Sequence, residues 1–176
     1  KAGRSGDLVF VTVRHRISNG TGLCLTEDQD IVYRDFAQTG HPPLPGVPAR
    51  TDAQWQMTIT PDPVLLFRYS ALTFNGHRIH YDRSYATEVE GYPGLVVHGP
   101  LIATLLLDLL RTEQPDAVVT AFEFKAMRPS YDLHPLSVKG SMRQDSQILA
   151  TEQANVELWA HDHEGFLTMQ ASATIR

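Results

Sequence analysis

The chain has 176 residues, of which 15 are Lys or Arg, 20 are Asp or Glu, and 42% are apolar. At about 150 residues per domain, this length predicts one domain, or one and a fraction, with enough chain for a hydrophobic core. The net charge of −5 leads us to expect no nucleic-acid partner, and the apolar content argues against global disorder. The single cysteine, Cys24, excludes a disulfide framework and a multi-cysteine zinc site, and we expect it to be buried filler.

Residues 1–36 have the pattern of two β-strands. A β-branched run at 8–15 is followed by a turn at 18–22 and by apolar runs at 23–26 and 30–34. Because an isolated hairpin is marginal in water, these strands need a sheet to join. The chain begins with Lys rather than Met, and we expect sequence to be missing before it.

Residues 37–54 are predicted to be a linker. Four prolines and two glycines fall within residues 40–48. Prolines at this density favour an extended, semi-rigid path over helix or sheet. The linker is therefore the best internal boundary of the chain.

Residues 55–176 have the pattern of one complete unit. A short strand at 55–60 precedes a turn or helix from 61 and a polar block at 73–85, and a helix is predicted over about 101–113. Pro100 suits the first helical position, Gly99 is an acceptable cap, and Pro115 ends the helix. This helix is apolar nearly all round, as buried helices are. Strand-like runs follow at 118–127, 136–142, 148–161 and 166–175, which predicts an α+β fold with an antiparallel sheet wrapped around a central buried helix.

The polar block contains three residues that could perform chemistry. His77 and His80 are three residues apart, and Asp82 follows two residues later. On one helix face His77 and His80 could bind a metal ion together. The sequence shows no fourth ligand for a tetrahedral site, so we expect no metal ion here. Alternatively, these three residues are solvent-exposed loop side chains without a chemical role. The functional interpretation is acid–base chemistry, because a histidine can take and give a proton near neutral pH.

The start of the long helix, at His98-Gly99-Pro100, could stabilise negative charge. The first N–H groups of a helix lack internal partners, and the helix dipole is positive there. The N–H groups around Gly99 could therefore bind an oxyanion. A plain strand-to-helix turn explains the same residues equally well.

The string from Ser70 to Asp82 resembles the hydratase motif of the MaoC-like (R)-specific enoyl-thioester hydratases, which have the hot dog fold. The motif reads Asp, any residue, Asn, Pro, an aliphatic residue and His. Its six positions are occupied here by Asn75, Gly76, His77, Arg78, Ile79 and His80. The departure at Asn75 matters, because an amide cannot act as a base, although it can orient water.

Two further segments extend the resemblance, which covers about residues 55–130 and also 1–36. Residues 96–101 are similar to the family's His-Gly helix entrance, whose glycine amide faces the thioester carbonyl, and residues 124–129 resemble the strand that leads out of the central helix. The string is closest to a branch with mesaconyl-CoA (C4) and itaconyl-CoA hydratases and mitochondrial-type 3-hydroxyacyl thioester dehydratases. Members of that branch are double hot dogs in one chain.

The resemblance implies three segments: closing strands of a first, incomplete hot dog at 1–36, the linker at 37–54, and a catalytic hot dog at 55–176. It implies reversible addition of water to an enoyl thioester, carried on CoA or phosphopantetheine, by a cytoplasmic enzyme, or a mitochondrial one in a eukaryote. No metal, redox cofactor or membrane partner is expected. We expect a homo-oligomer or a pseudo-dimer within the chain.

The site implied by the resemblance has His80 as general acid and base, Asn75 as the residue that orients water, and the Gly99 N–H as donor to the enolate. The expected supporting residues are His77, Tyr81, Asp82 and His98. The cationic candidates for the carrier's phosphates are Arg68, Arg78, Arg83, Lys125 and Arg128. Two alternatives stay open: a non-catalytic thioester-binding module, favoured by Asn75, and a hot dog thioesterase.

Overall fold

The chain forms two units, which we analysed in a computed structural model that describes residues 2–3, 6–34, 46–143 and 153–176. Contacts divide the chain into Lys1–Leu44 and Pro45–Arg176. Residues 37–45 of the predicted linker lie outside the described residues. The incomplete first hot dog and the 37–54 linker therefore stay predictions.

The first unit is an antiparallel ribbon of three strands: β1 (Ala2–Gly3), β2 (Gly6–Asn19) and β3 (Gly22–Arg34). The β2–β3 hairpin confirms the two predicted strands and extends them. Its register places Val11 opposite Ile31 on one face and Arg14 opposite Asp28 on the other. Cys24 is exposed, so its predicted burial is wrong. The described strands of this unit form a single sheet, without a second layer of the unit to cover Cys24.

The second unit contains the remaining elements, which confirm the predicted chain order. They are β4 (Trp55–Ile59), α1 (Pro63–Thr73), a 3₁₀ turn (Arg78–His80), a π-helical turn (Tyr85–Val89), α2 (Gly99–Glu113), β5 (Val119–Ala126), β6 (Leu136–Met142), β7 (Ala154–His161) and β8 (Leu167–Ile175). In the described part of the chain, five strands pair antiparallel in the order β4-β6-β7-β8-β5. The segment 148–152 of the last predicted strand but one lies outside the described residues.

Helix α2 occupies the centre of this unit and packs against β4, β6, β7 and β8. Its side chains Leu106 and Leu110 are buried among sheet residues such as Val138 and Met169. This explains why the helix is apolar nearly all round: a narrow apolar stripe would leave polar side chains in the core. The α+β layout expected from the sequence is confirmed.

The N-terminus of α2 lies slightly earlier than predicted. His98 is the cap, with extended backbone, and Gly99 and Pro100 occupy the first helical positions. The prediction of Gly99 as cap is therefore wrong by one residue. The difference brings His98 to the mouth of the helix, beside the polar block.

Candidate functional site

The loop after α1 brings the polar block back toward the helix. Asp62 caps α1 by accepting the Leu65 N–H at 2.8 Å. The helix ends at Phe74, whose φ of 53° is left-handed, so that the Asn75 N–H returns to the Ser70 carbonyl at 2.9 Å. A non-glycine residue in this conformation is uncommon and is held only where neighbouring contacts impose it.

Two side-chain bonds then fix the loop. The Asn75 Oδ1 accepts the His77 backbone N–H at 3.0 Å, and the Tyr81 hydroxyl donates to the Gly76 carbonyl at 2.9 Å. Because its oxygen is used in this way, Asn75 retains its amide N–H groups as donors.

His80 lies at the end of the 3₁₀ turn and is only 8% exposed. Its Nδ1 is 2.7 Å from the Val96 carbonyl oxygen. A carbonyl can only accept, so Nδ1 carries the proton and Nε2 keeps a lone pair when the ring is neutral. Burial lowers the pKa of His80 below 6.5, the nearby His77 lowers it further, and the bond to Val96 opposes both effects. The ring is therefore a neutral base at neutral pH.

The Val96 carbonyl is held in place by the backbone around it. The Val96 N–H donates to the Ile79 carbonyl at 3.0 Å, and the Val97 N–H donates to the Ser130 carbonyl at 2.8 Å. The Leu95 N–H donates to the Asp132 carboxylate at 2.9 Å. That carboxylate is 2% exposed and also pairs with Arg83, so the acceptor of His80 is rigidly placed.

His98 is completely buried and stacks on His80, with ring centroids 3.8 Å apart and planes at 17°. Its Nε2 lies 2.8 Å from the Ser70 Oγ, and Tyr69 meets the ring edge-on at 4.9 Å. Within the described residues its Nδ1 has no hydrogen-bond partner. Burial, followed by the proximity of His80, lowers the pKa of His98 to about 4. His98 is therefore neutral at neutral pH.

Gly99 presents its backbone at the first turn of α2. The N–H groups of the first turn have no intrahelical acceptor and lie at the positive end of the helix dipole. A Cβ on Gly99 would meet only the Met169 methyl, at 4.0 Å. Packing therefore does not require glycine at this position. Close approach of a ligand carbonyl to the backbone would require it.

An open hollow of about 320 Å³ lies beside these residues. Its polar lining comes from Ser70, Asn75, Gly76 and Tyr81, and its apolar lining from Phe67, Ala71 and Phe74. His80 does not line this hollow. Ser70 connects the two, because it lines the hollow and contacts the ring stacked on His80.

The structure brings together most, not all, of the residues expected at the site. His77 meets His80 edge to face at 5.5 Å, and His80, His98 and Gly99 are neighbours. Asp82 instead pairs with Arg78 at 2.7 Å and accepts the Tyr85 N–H at 3.1 Å. No three His, Cys, Asp or Glu side chains converge in the described part of the chain.

Three of the five cationic candidates are engaged by acidic side chains. Arg78 pairs with Asp82, Arg83 with Asp132, and Arg128 with Asp162 at 3.6 Å. Across residues 46–143 and 153–176, Arg68 and Lys125 form no ion pair with another described residue.

Sequence reasoning missed two hydrogen-bonding partners in the candidate site, Ser70 and the Val96 carbonyl. Ser70 stood inside the motif string but had no assigned role, and its partner His98 is 28 residues away. Any residue at position 96 would supply the same backbone carbonyl, so the amino-acid sequence could not identify this carbonyl as the acceptor of His80.

Comparison with protein families matches residues 1–132 to the model described as hydroxyacyl-thioester dehydratase type 2. The mesaconyl-C(4)-CoA hydratase of Chloroflexus aurantiacus is 53% identical over 138 residues, covering 77% of this chain and 48% of that protein. The mitochondrial hydroxyacyl-thioester dehydratase type 2 of Schizosaccharomyces pombe is 36% identical over 118 residues, covering 66% of this chain and 39% of that protein. The chain thus spans less than half the length of these curated relatives.

Solved structures establish the fold. An R-hydratase of Pseudomonas aeruginosa superposes with a TM-score of 0.61 at 17% identity, covering 74% of this chain and 84% of that one. An (R)-hydratase of A. caviae superposes with a TM-score of 0.60 at 15% identity, covering 72% and 98%. The expected hot dog fold is confirmed for the second unit. None of the helices in the described ranges has the length and apolarity needed to cross a bilayer.

Proposed function

Because the chain belongs to the hydroxyacyl-thioester dehydratase type 2 family, we propose that it catalyses reversible hydration of enoyl thioesters at the C2=C3 bond. The observation that carries the proposal is the neutral His80 ring, whose Nδ1–H is fixed on the Val96 carbonyl and whose Nε2 lone pair is left available. The His80 ring stacks on His98, the residue that caps α2 immediately before its first N–H groups. A base beside an oxyanion donor is what addition of water to a conjugated thioester requires.

In the hydration direction, the His80 Nε2 takes a proton from water while the water oxygen forms a bond to C3. The C2=C3 electron pair moves toward the thioester carbonyl and leaves an enolate. The Gly99 N–H donates to that enolate oxygen, and C2 then receives the proton from Nε2. Dehydration is the reverse sequence. A positioned base contributes about 10²–10⁴ in rate and an oxyanion donor about 10²–10³.

Asn75 acts in this proposal as a donor and not as a base. Its Oδ1 is used by the His77 N–H, which leaves its amide N–H groups to donate to the reacting oxygen of water or of a 3-hydroxyl group. Tyr81 holds the Gly76 carbonyl and keeps this loop closed, while His77 tunes His80. Asp82 contributes only by fixing the turn.

The proposed substrate is a C4-dicarboxylic enoyl-CoA of the mesaconyl type, with an itaconyl-type thioester as the alternative. The support is the 53% identity to a mesaconyl-C(4)-CoA hydratase. Arg68 and Lys125 are the proposed contacts for the phosphates of CoA or of a carrier's phosphopantetheine, because no acidic side chain among the described residues pairs with them. For location, the proposal is the cytoplasm, or the mitochondrion in a eukaryote, where the yeast relative is placed by its description.

A second hot dog is the proposed partner of this unit, either from the same chain or from a second copy. Phe67, Leu72 and Phe74 are 60%, 78% and 96% exposed at or near the hollow. Such a cluster of exposed apolar side chains marks a surface that another element covers. The hollow would then be closed by the partner.

The experiment follows loss of enoyl-thioester ultraviolet absorbance with crotonyl-, mesaconyl- and itaconyl-CoA in the full-length protein, with a thiol reagent in parallel. We expect absorbance to fall without release of free thiol, fastest with the mesaconyl thioester. Thiol release at the same rate would instead establish a thioesterase. Measurable binding without any absorbance change would establish a binding module.

A further inference from the structure

Ser70 is a polar side chain that joins the buried histidine pair to the hollow. It is 5% exposed, its Oγ lies 2.8 Å from the His98 Nε2, and it lines the hollow together with Asn75. The proposed mechanism makes no use of it. A hydroxyl group can both donate and accept a hydrogen bond, and a buried hydroxyl needs a partner for each.

The direction of the Ser70–His98 bond follows from the surroundings of His98. A neutral imidazole carries one N–H, on Nδ1 or on Nε2. Nδ1 is buried without a partner among the described residues, and a buried orphan N–H is rarer than an under-used acceptor. The proton therefore belongs on Nε2, which donates to the Ser70 Oγ.

This direction leaves the hydroxyl proton of Ser70 without an acceptor in the described part of the chain. Helical hydroxyls often donate to the carbonyl four residues back, as Thr73 does to Tyr69 at 2.7 Å. Ser70 makes no such bond; its only hydrogen bond to a described side chain is the one to His98. Ser70, with this free O–H, and Asn75 both line the hollow.

We propose that Ser70 is a further catalytic residue, whose hydroxyl, oriented by the His98 Nε2–H, donates a hydrogen bond to the oxygen that joins or leaves C3. Ser70 and Asn75 then hold that oxygen from two sides while the His80 Nε2 exchanges its proton. This inference rests on the proposed hydration and deepens it. It also assigns a use to the buried His98, as the positioning residue that sets the direction of the Ser70 hydroxyl.

The test compares Ser70→Ala with Ser70→Thr in the full-length protein, using the enoyl-CoA that the wild type hydrates fastest. Loss of a donor that acts in the transition state lowers kcat more than it changes KM. We expect Ser70→Ala to lower kcat at least tenfold with KM changed less than threefold, and Ser70→Thr, which keeps the hydroxyl, to stay within about threefold of wild type. Should Ser70→Ala not fold, Ser70→Cys keeps the size with a much weaker donor and should show the same loss of kcat.

A binding measurement identifies the oxygen. In a His80→Gln background, Ser70→Ala should weaken binding of 3-hydroxybutyryl-CoA severalfold and leave binding of butyryl-CoA, which lacks the C3 oxygen, unchanged. Equal weakening of both ligands would place the bond on the thioester carbonyl and overturn the proposal. A lower Tm with unchanged kcat would likewise overturn it, since Ser70 would then only satisfy His98. If the wild type hydrates no thioester, the proposed function itself has failed, which is a different result from an active wild type with an unaffected Ser70→Ala.

Discussion

His80 and His98 stack face to face, with ring centroids 3.8 Å apart and planes at 17°. Two imidazolium rings at this distance would repel, so the stack disfavours charge on both rings at once but permits one charged ring beside a neutral one. Burial lowers the pKa of each, most strongly for His98. The pair therefore separates two tasks: His98 is a fixed, uncharged support, and His80 is free to exchange a proton through Nε2.

Replacement of His80 by Gln should abolish most of the activity while the fold is kept. The side chain is nearly the same length and can still donate to the Val96 carbonyl, but it offers no basic nitrogen. We expect kcat to fall by about 10²–10⁴, measured as loss of enoyl-thioester absorbance. His163→Ala, at an exposed histidine of the second unit, is the matched control and should retain wild-type turnover. Near-wild-type turnover in His80→Gln would remove His80 from the mechanism.

The pH dependence of hydration should report the neutral form of His80. Burial, followed by His77, lowers the pKa of this base from 6.5, so the midpoint of the decline in kcat/KM with falling pH should lie below 6.5. His77→Gln removes one of the two lowering influences and should move the decline toward higher pH. A midpoint above pH 6.5, or a profile that His77→Gln leaves unmoved, would contradict this assignment.

Stability should depend on pH through His98. Its pKa is lowered to about 4 in the folded state from 6.5, so between these values the unfolded chain binds more protons. Stability therefore rises with pH in this window and is lost as pH falls from 6.5 toward 4. The shift corresponds to a loss of about 3 kcal/mol in the free energy of unfolding. Urea unfolding of His98→Gln should show a smaller loss over the same window; an identical slope would assign the effect to other groups.

Gly99→Ala should separate packing from function. A Cβ would meet only the Met169 methyl, at 4.0 Å, and alanine is a better helix residue than glycine by about 1 kcal/mol. We expect an unchanged or slightly raised Tm. The added methyl would nevertheless obstruct approach of the thioester carbonyl to the N–H groups, and kcat/KM should fall about 10²-fold or more. A variant as active as wild type would show that the enolate is stabilised elsewhere.

The sequence was sufficient to predict the elements whose periodicity is strong. The apolar helix at Leu101–Leu110 and the alternating strand ending at His161 both formed as expected, because burial determines their patterns directly. The role of Ser70 could not be predicted, since hydrogen bonding to His98 depends on how α1 meets the mouth of α2. Cys24 was misjudged because its type predicts burial, whereas exposure depends on whether a second layer covers the strand.

The acceptor for His80 is a backbone carbonyl, that of Val96, and this affects mutational tolerance. Replacement of Val96 by another apolar residue that fits the core leaves the carbonyl in place, because every residue has one. The tautomer of His80 is thus determined by the backbone conformation between Leu95 and Val97 and not by the side chain at position 96. In a saturation library, position 96 should accept Ile, Leu or Thr with activity retained, whereas position 80 should accept no other residue.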